Sequence, residues 1–128
     1  MNKIESLVTG ESVLPYLSFI RHKRQEYLLC LSLDGNNRLI TRRTVTIGLL
    51  DVSLAHPREI FAGPLKDRAA TVIIAHNHPS GEVEPSKQDI ATTQQLIAAG
   101  QILGIPLYDH IIISAKEYYS FRYNGIIQ

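Results

Sequence analysis

In "GESVLPYLSFIRHKRQ", Val13, Leu14, Leu17 and Ile20 fall at helical spacing and predict a first helix near residues 11–24. Pro15 lies in its first turn, where proline is tolerated. The pattern then changes. "EYLLCLSL" is an almost unbroken apolar run ending at "DGNN", which reads as a buried strand and a turn. "RLITRRTVTIG" returns as the second strand of a hairpin, with Thr and Arg on a wetter face. In "HPREIFAGPLKDRAA", Pro57 suits the first helical position, and Ile60, Phe61 and Leu65 give a partial apolar face. Gly63-Pro64 interrupts it; proline inside a helix costs ~3 kcal/mol, so a kink or two short pieces are expected there. "TVIIA" is β-branched and apolar, as a central strand should be. "SKQDIATTQQLIAAGQILG" predicts a helix with Ser86 as N-cap, Ile90, Ile97 and Ala98 on one face, and Gly100 or Gly104 near its stop. "PLYDHIIIS" and "EYYSFRY" close the chain as two more strands. Helices alternate with strands and some neighbouring strands form hairpins, so the fold class is α/β, a mixed β-sheet flanked by helices.

Composition narrows this only slightly. The 128 residues fit one domain, 45% apolar and 20% charged. Thirteen basic against twelve acidic residues give a net charge of +1, which is no electrostatic footprint for tight DNA binding. One cysteine, Cys30, excludes a disulfide framework and every cysteine-rich zinc site; within "YLLCLSL" it reads as a small buried hydrophobe. No stretch reaches the ~18–20 apolar residues of a membrane span, and "MNKIESLVTGES" has no apolar signal core. A cytoplasmic protein without membrane contact is expected.

The chemistry concentrates in "AHNHPSGEVEPSKQD", residues 75–89. Side chains two apart on a strand share a face, so His76 and His78 project together from the end of "TVIIA". Pro-Ser-Gly turns the chain, Ser86 starts a helix, and Asp89 lies in its first turn. Two imidazoles and a carboxylate suit Zn²⁺ with one position left for water, the open pattern of catalytic zinc. Zinc would lower the pKa of that water to about 7. The plainer alternative is that two histidines simply end a strand. "SKQD" also fits a capping box, in which Asp89 only satisfies helix N–H groups.

The spacing H-x-H, seven residues, S-x-x-D resembles the signature of the JAMM (MPN-plus) metalloproteases. "AHNHPSG…EPSKQD", "HPREIF" and "LYDHIIIS" together resemble the bacterial RadC family over residues 10–125. The resemblance implies a three-layer, deaminase-like JAMM/MPN fold. It makes His76, His78 and Asp89 the zinc ligands, and gives Ser86 the task of stabilising a tetrahedral intermediate. The family also carries an upstream glutamate as general acid/base. Glu26, directly ahead of "YLLCLSL", matches in position; Glu59 is the rival, on a helix start where glutamate is a routine dipole partner. Glu82 and Glu84 read as solvated turn charges. His110 echoes the family pattern but reads first as a satisfied core histidine, with Asp109 as support for the site. Tyr118, Tyr119, Phe121 and Tyr123 read as strand packing. Full-length RadC proteins carry an N-terminal helix-hairpin-helix segment that residues 1–128 do not contain, which implies a short member or a separated C-terminal domain.

The expected function is therefore zinc-dependent hydrolysis of an amide bond in a peptide, isopeptide or related substrate, with a link to DNA repair. The alternative is a non-catalytic module that contacts protein or DNA; the oligomeric state is left open. A nucleobase deaminase is excluded, because its P-C-x-x-C signature needs two cysteines.

Overall fold

The computed structural model describes residues 6–48 and 55–128. Five strands form one sheet in the order β2-β1-β3-β4-β5: β1 Tyr27–Leu33, β2 Leu39–Ile47, β3 Thr71–Asn77, β4 Leu107–Ile113 and β5 Tyr118–Ser120. β1 runs antiparallel to both β2 and β3, β3 and β4 are parallel, and β5 is antiparallel to β4. The sheet is mixed and the class is α/β, as the alternation of elements predicts.

Both faces of β1, β3 and β4 are covered, which explains their near-continuous apolar runs. On one face, Leu28, Cys30, Val72, Ile74 and Ile112 pack with Ile60, Phe61 and Leu96 of two helices, α2 (Pro57–Asp67) and α3 (Lys87–Leu103). On the other, Leu29, Leu31, Ile73, Ile111 and Ile113 pack under Leu7, Val13, Leu17 and Ile20. The result is three layers.

That N-terminal layer corrects one expectation. Residues 11–24 do not form one helix. A single α-turn, α1 (Gly10–Val13), is followed by 3₁₀ turns at Leu14–Tyr16 and Ser18–Ile20. The apolar spacing still works, since Val13, Leu17 and Ile20 are all buried, but Pro15 sits at the head of the first 3₁₀ turn and stops α1 from continuing.

The interruption expected in α2 does not occur either. The helix runs through Pro64 unbroken. Proline at 64 withdraws the N–H that would have bonded the carbonyl of Ile60, and the Cys30 thiol lies 3.5 Å from that carbonyl as a replacement donor. Gly63 leaves room beside it: a Cβ there would collide with the Arg43 guanidinium, which makes a two-pronged ion pair with Asp67. Arg43 first, aided by neighbouring hydroxyls, pulls the Asp67 carboxyl down to about 2, and burial pushes the Cys30 thiol up to about 12, so it is inert. Pro64 is buried, whereas Leu65, assigned to the apolar face, is half exposed.

On α3 the buried stripe is Asp89, Thr92, Thr93, Leu96 and Gly100; Ala98, assigned to the apolar face, points to solvent. Gly104 ends the helix with a left-handed backbone, φ 74°. The closing strand is only three residues long. Beyond Ser120 the chain turns, Phe121 is buried and Tyr123 is exposed, so the run "EYYSFRY" is a short strand followed by a turn. No helix among the described residues is long and apolar enough to cross a membrane.

Candidate metal centre

β3 delivers His76 on the helix-covered face, because Leu28, which shares that face, is its register partner on β1. His78 follows two residues later, just past the strand end. Glu26 precedes Leu28 by two and so lies on the same face, beside them. These three residues bring donor atoms within 4.8 Å of one another. α3 supplies the fourth group. Ser86 caps the helix by accepting a bond from the Asp89 N–H at 3.0 Å, and Asp89 Oδ2 accepts from the Ser86 N–H at 2.9 Å. The capping box is real, and it also fixes the carboxylate's direction. Asp89 Oδ1 lies 3.7 Å from His76 Nε2, and Oδ2 lies 3.6 Å from His78 Nε2. Capping and facing the histidines are not alternatives here.

Hydrogen-bond direction fixes the imidazoles. The carbonyl of Glu82 can only accept, so His78 Nδ1, 2.9 Å away, carries the hydrogen and Nε2 offers a lone pair. A chain from α3 does the same for His76. The Thr93 hydroxyl donates to the Asp89 carbonyl at 2.7 Å, so toward His110 Nδ1, at 2.7 Å, it accepts. His110 therefore has its hydrogen on Nδ1 and a lone pair on Nε2. That lone pair, 2.8 Å from His76 Nδ1, takes the hydrogen of His76. His76 Nε2 is left with a lone pair as well. The two Nε2 atoms face each other at 2.9 Å. Two lone pairs at that distance beside a carboxylate require a cation between them, a proton or a metal ion.

His110 is the residue whose role the sequence understated. It is fully buried, it stacks on Phe121 with ring centroids 4.3 Å apart, and it orients His76. Burial first, then the nearby His76 and His78, hold it well below the ordinary imidazole value, so it stays neutral as this chain of bonds demands. The i, i+1 alternation of β4 was the available signal: His110 pairs with Ile74 and so shares the face of His76. Asp109 does not support the site. It points to the opposite face and accepts from Ser120 Oγ at 2.6 Å and from the main-chain N–H groups of His110 and Arg122. Burial raises its carboxyl against those bonds.

Glu59 lies on the first turn of α2, exposed and 3.6 Å from Arg58; it is not in the cluster. Glu82 and Glu84 are exposed, and Glu82 contributes only its carbonyl. His56 caps α2 through Nδ1, which accepts the Arg58 N–H. Beside Glu26 and His78 opens a cleft of about 530 Å³, bounded also by Arg24, Gln25 and Pro79.

The family model of the RadC-like JAB domain matches residues 7–126. The chain belongs to this family. Among curated relatives it is similar to a UPF0758 protein of Pelobacter propionicus, 44% identical over 99% of this chain and 56% of the relative. UPF0758 proteins of Methanospirillum hungatei (50% identical over 82% of this chain and 47% of the relative) and Trichodesmium erythraeum (54% over 77% and 40%) are similar too. The RadC-like domain thus spans about half the length of the curated relatives it matches.

Proposed function

We propose that this RadC-like domain is a zinc-dependent hydrolase of the metallopeptidase or isopeptidase type, with His76, His78 and Asp89 as zinc ligands. The observation that carries the reading is the pair of imidazole lone pairs held face to face beside a buried carboxylate. The donor set fits the metal. The three separations, 2.9, 3.6 and 3.7 Å, bracket the ~3.3 Å between ligands of a tetrahedral zinc with bonds of ~2.0–2.1 Å. The His76–His110–Thr93 chain and the His78–Glu82 bond are the kind of outer support that metal-ligating histidines have. Zinc held there supplies Lewis acidity and makes a nucleophilic water available near neutral pH.

The chain's own residues do the rest. Glu26, at the open side of the cluster and in the cleft, takes a proton from the attacking water and returns it to the leaving amine. Ser86 Oγ uses a lone pair on the Asp89 N–H and keeps its own hydrogen to donate to a developing oxyanion. The substrate is a peptide, an isopeptide or another amide that enters beside Arg24 and Gln25. Membership of the RadC family supports hydrolase chemistry at this coarser level; the substrate, zinc and the individual roles are the proposal.

The test separates ligand from base. Glu26→Gln should keep stoichiometric zinc and lose amide hydrolysis across a peptide library by at least ~100-fold, the scale of general acid–base catalysis. Asp89→Ala should lose the zinc. If Glu26→Gln loses the metal and Asp89→Ala keeps it, Glu26 is the third ligand and the assignment is wrong.

A further inference from the structure

We infer that Asn77, the residue between the two histidines, is a positioning residue that holds Glu26 in place. Its use to the reaction rests on the zinc-hydrolase reading above; its geometry does not. As the middle residue of H-x-H, Asn77 points to the face opposite His76, where it is 1% exposed. The paired register of β1 with β3 ends at Leu28 and His76. Beyond that point the Asn77 side chain takes over. Its Oδ1 accepts from the Tyr27 N–H at 2.6 Å, and its Nδ2 donates to the carbonyls of Gln25 at 3.0 Å and Lys23 at 3.4 Å. Those bonds bracket Glu26 on both sides. On the far edge, the Glu26 carbonyl accepts from the Gly48 N–H at 2.8 Å. The segment before β1 is therefore tied through one amide to the strand that carries the ligands, so Glu26 moves with His76 and His78 as one body. Only a carboxamide offers an acceptor to one main-chain group and donors to two others. A carboxylate would lose both donors and set a negative charge against two carbonyl oxygens.

The experiment compares wild type, Asn77→Ala, Asn77→Asp and Glu26→Gln in two arms. In the metal-free protein, backbone NMR relaxation should show the Gln25 and Glu26 amides falling from rigid order parameters of about 0.85 toward 0.6 in both Asn77 variants, with the His76 and His78 amides unchanged. In the cobalt-substituted protein, both Asn77 variants should keep one bound ion. Their visible spectra should move toward that of Glu26→Gln, and Asn77→Ala should add no further change when combined with Glu26→Gln. Unchanged order at Glu26, or a wild-type cobalt spectrum in the Asn77 variants when that of Glu26→Gln differs, overturns the inference. Loss of fold in both Asn77 variants overturns it too, since Asn77 would then build the sheet rather than place Glu26. A wild type that takes up no cobalt sinks the metal reading alone, and the relaxation arm still decides the positioning.

Discussion

Thr93→Val changes one hydroxyl to a methyl at nearly constant volume, at a residue outside the proposed ligand set and two hydrogen bonds away from His76. The Thr93 hydroxyl does two things: it donates to the Asp89 carbonyl and accepts from His110 Nδ1, each at 2.7 Å. Valine removes both. The buried His110 Nδ1–H then has no acceptor, which costs about 1–3 kcal/mol. His110 can relieve most of that by moving its hydrogen to Nε2. That hydrogen would meet His76 Nδ1 at 2.8 Å, so His76 must in turn carry its own hydrogen on Nε2, the atom that faces the metal position. The two penalties compete, and zinc must offset the smaller one. Loss of such outer support typically weakens metal binding 10- to 100-fold, or about 1.4–2.7 kcal/mol. Zinc affinity is measured by titration against a competing chelator at pH 7.5, and imidazole tautomers by long-range ¹⁵N–¹H spectra of the metal-free protein. Thr93→Val should fall in that range with a changed His110 tautomer, and Thr93→Ser, which keeps the hydroxyl, should stay within about threefold of wild type. If Thr93→Val binds zinc as tightly as wild type and His110 keeps its Nδ1 hydrogen, the chain of hydrogen-bond directions derived for the site is wrong.

Further outcomes follow from the same packing. Arg43→Gln should remove a stabilising component of about 1–2 kcal/mol at pH 7, discounted because Arg43 is about a third exposed. Asp67 is depressed from 3.8 to about 2, so this component is present above pH 3.8 and is lost as pH falls toward 2. Urea unfolding of the two proteins should therefore converge in acid; a constant gap down to pH 2 would deny the pairing. Gly100→Ala ought to gain ~1 kcal/mol from helix propensity alone. Here its Cβ would lie 2.6 Å from the Ile105 carbonyl oxygen, so a loss of about 1–3 kcal/mol is expected instead. A stabilised Gly100→Ala would show that α3 does not approach the start of β4 so closely.

Much of this was readable from residue order, for physical reasons. Continuous apolar runs marked β1, β3 and β4 because both faces of those strands are covered. Ser86 announced the start of α3, since a helix N-terminus needs an acceptor for its unpaired N–H groups. The period of two put His76 and His78 together. What stayed hidden depends on partners distant in sequence. Nothing near Pro64 says that the Cys30 thiol, 34 residues earlier, lies against the Ile60 carbonyl and lets α2 continue. His110 looked like a core histidine because it is one; that it also aims His76 needs Thr93 and β4 side by side. Asn77 carries no signal of its role in the sequence, since its three main-chain partners, Lys23, Gln25 and Tyr27, lie 50 to 54 residues earlier. The N-terminal layer has helical spacing without one continuous helix, because its apolar contacts can be met by a single α-turn and two short 3₁₀ turns.

The most direct test is anomalous diffraction at the zinc edge from zinc-loaded crystals of the wild-type protein. A single full-occupancy peak about 2.0–2.2 Å from His76 Nε2, His78 Nε2 and an Asp89 oxygen is the predicted result. No peak there at saturating zinc, or a peak that Asp89 does not touch, would contradict it.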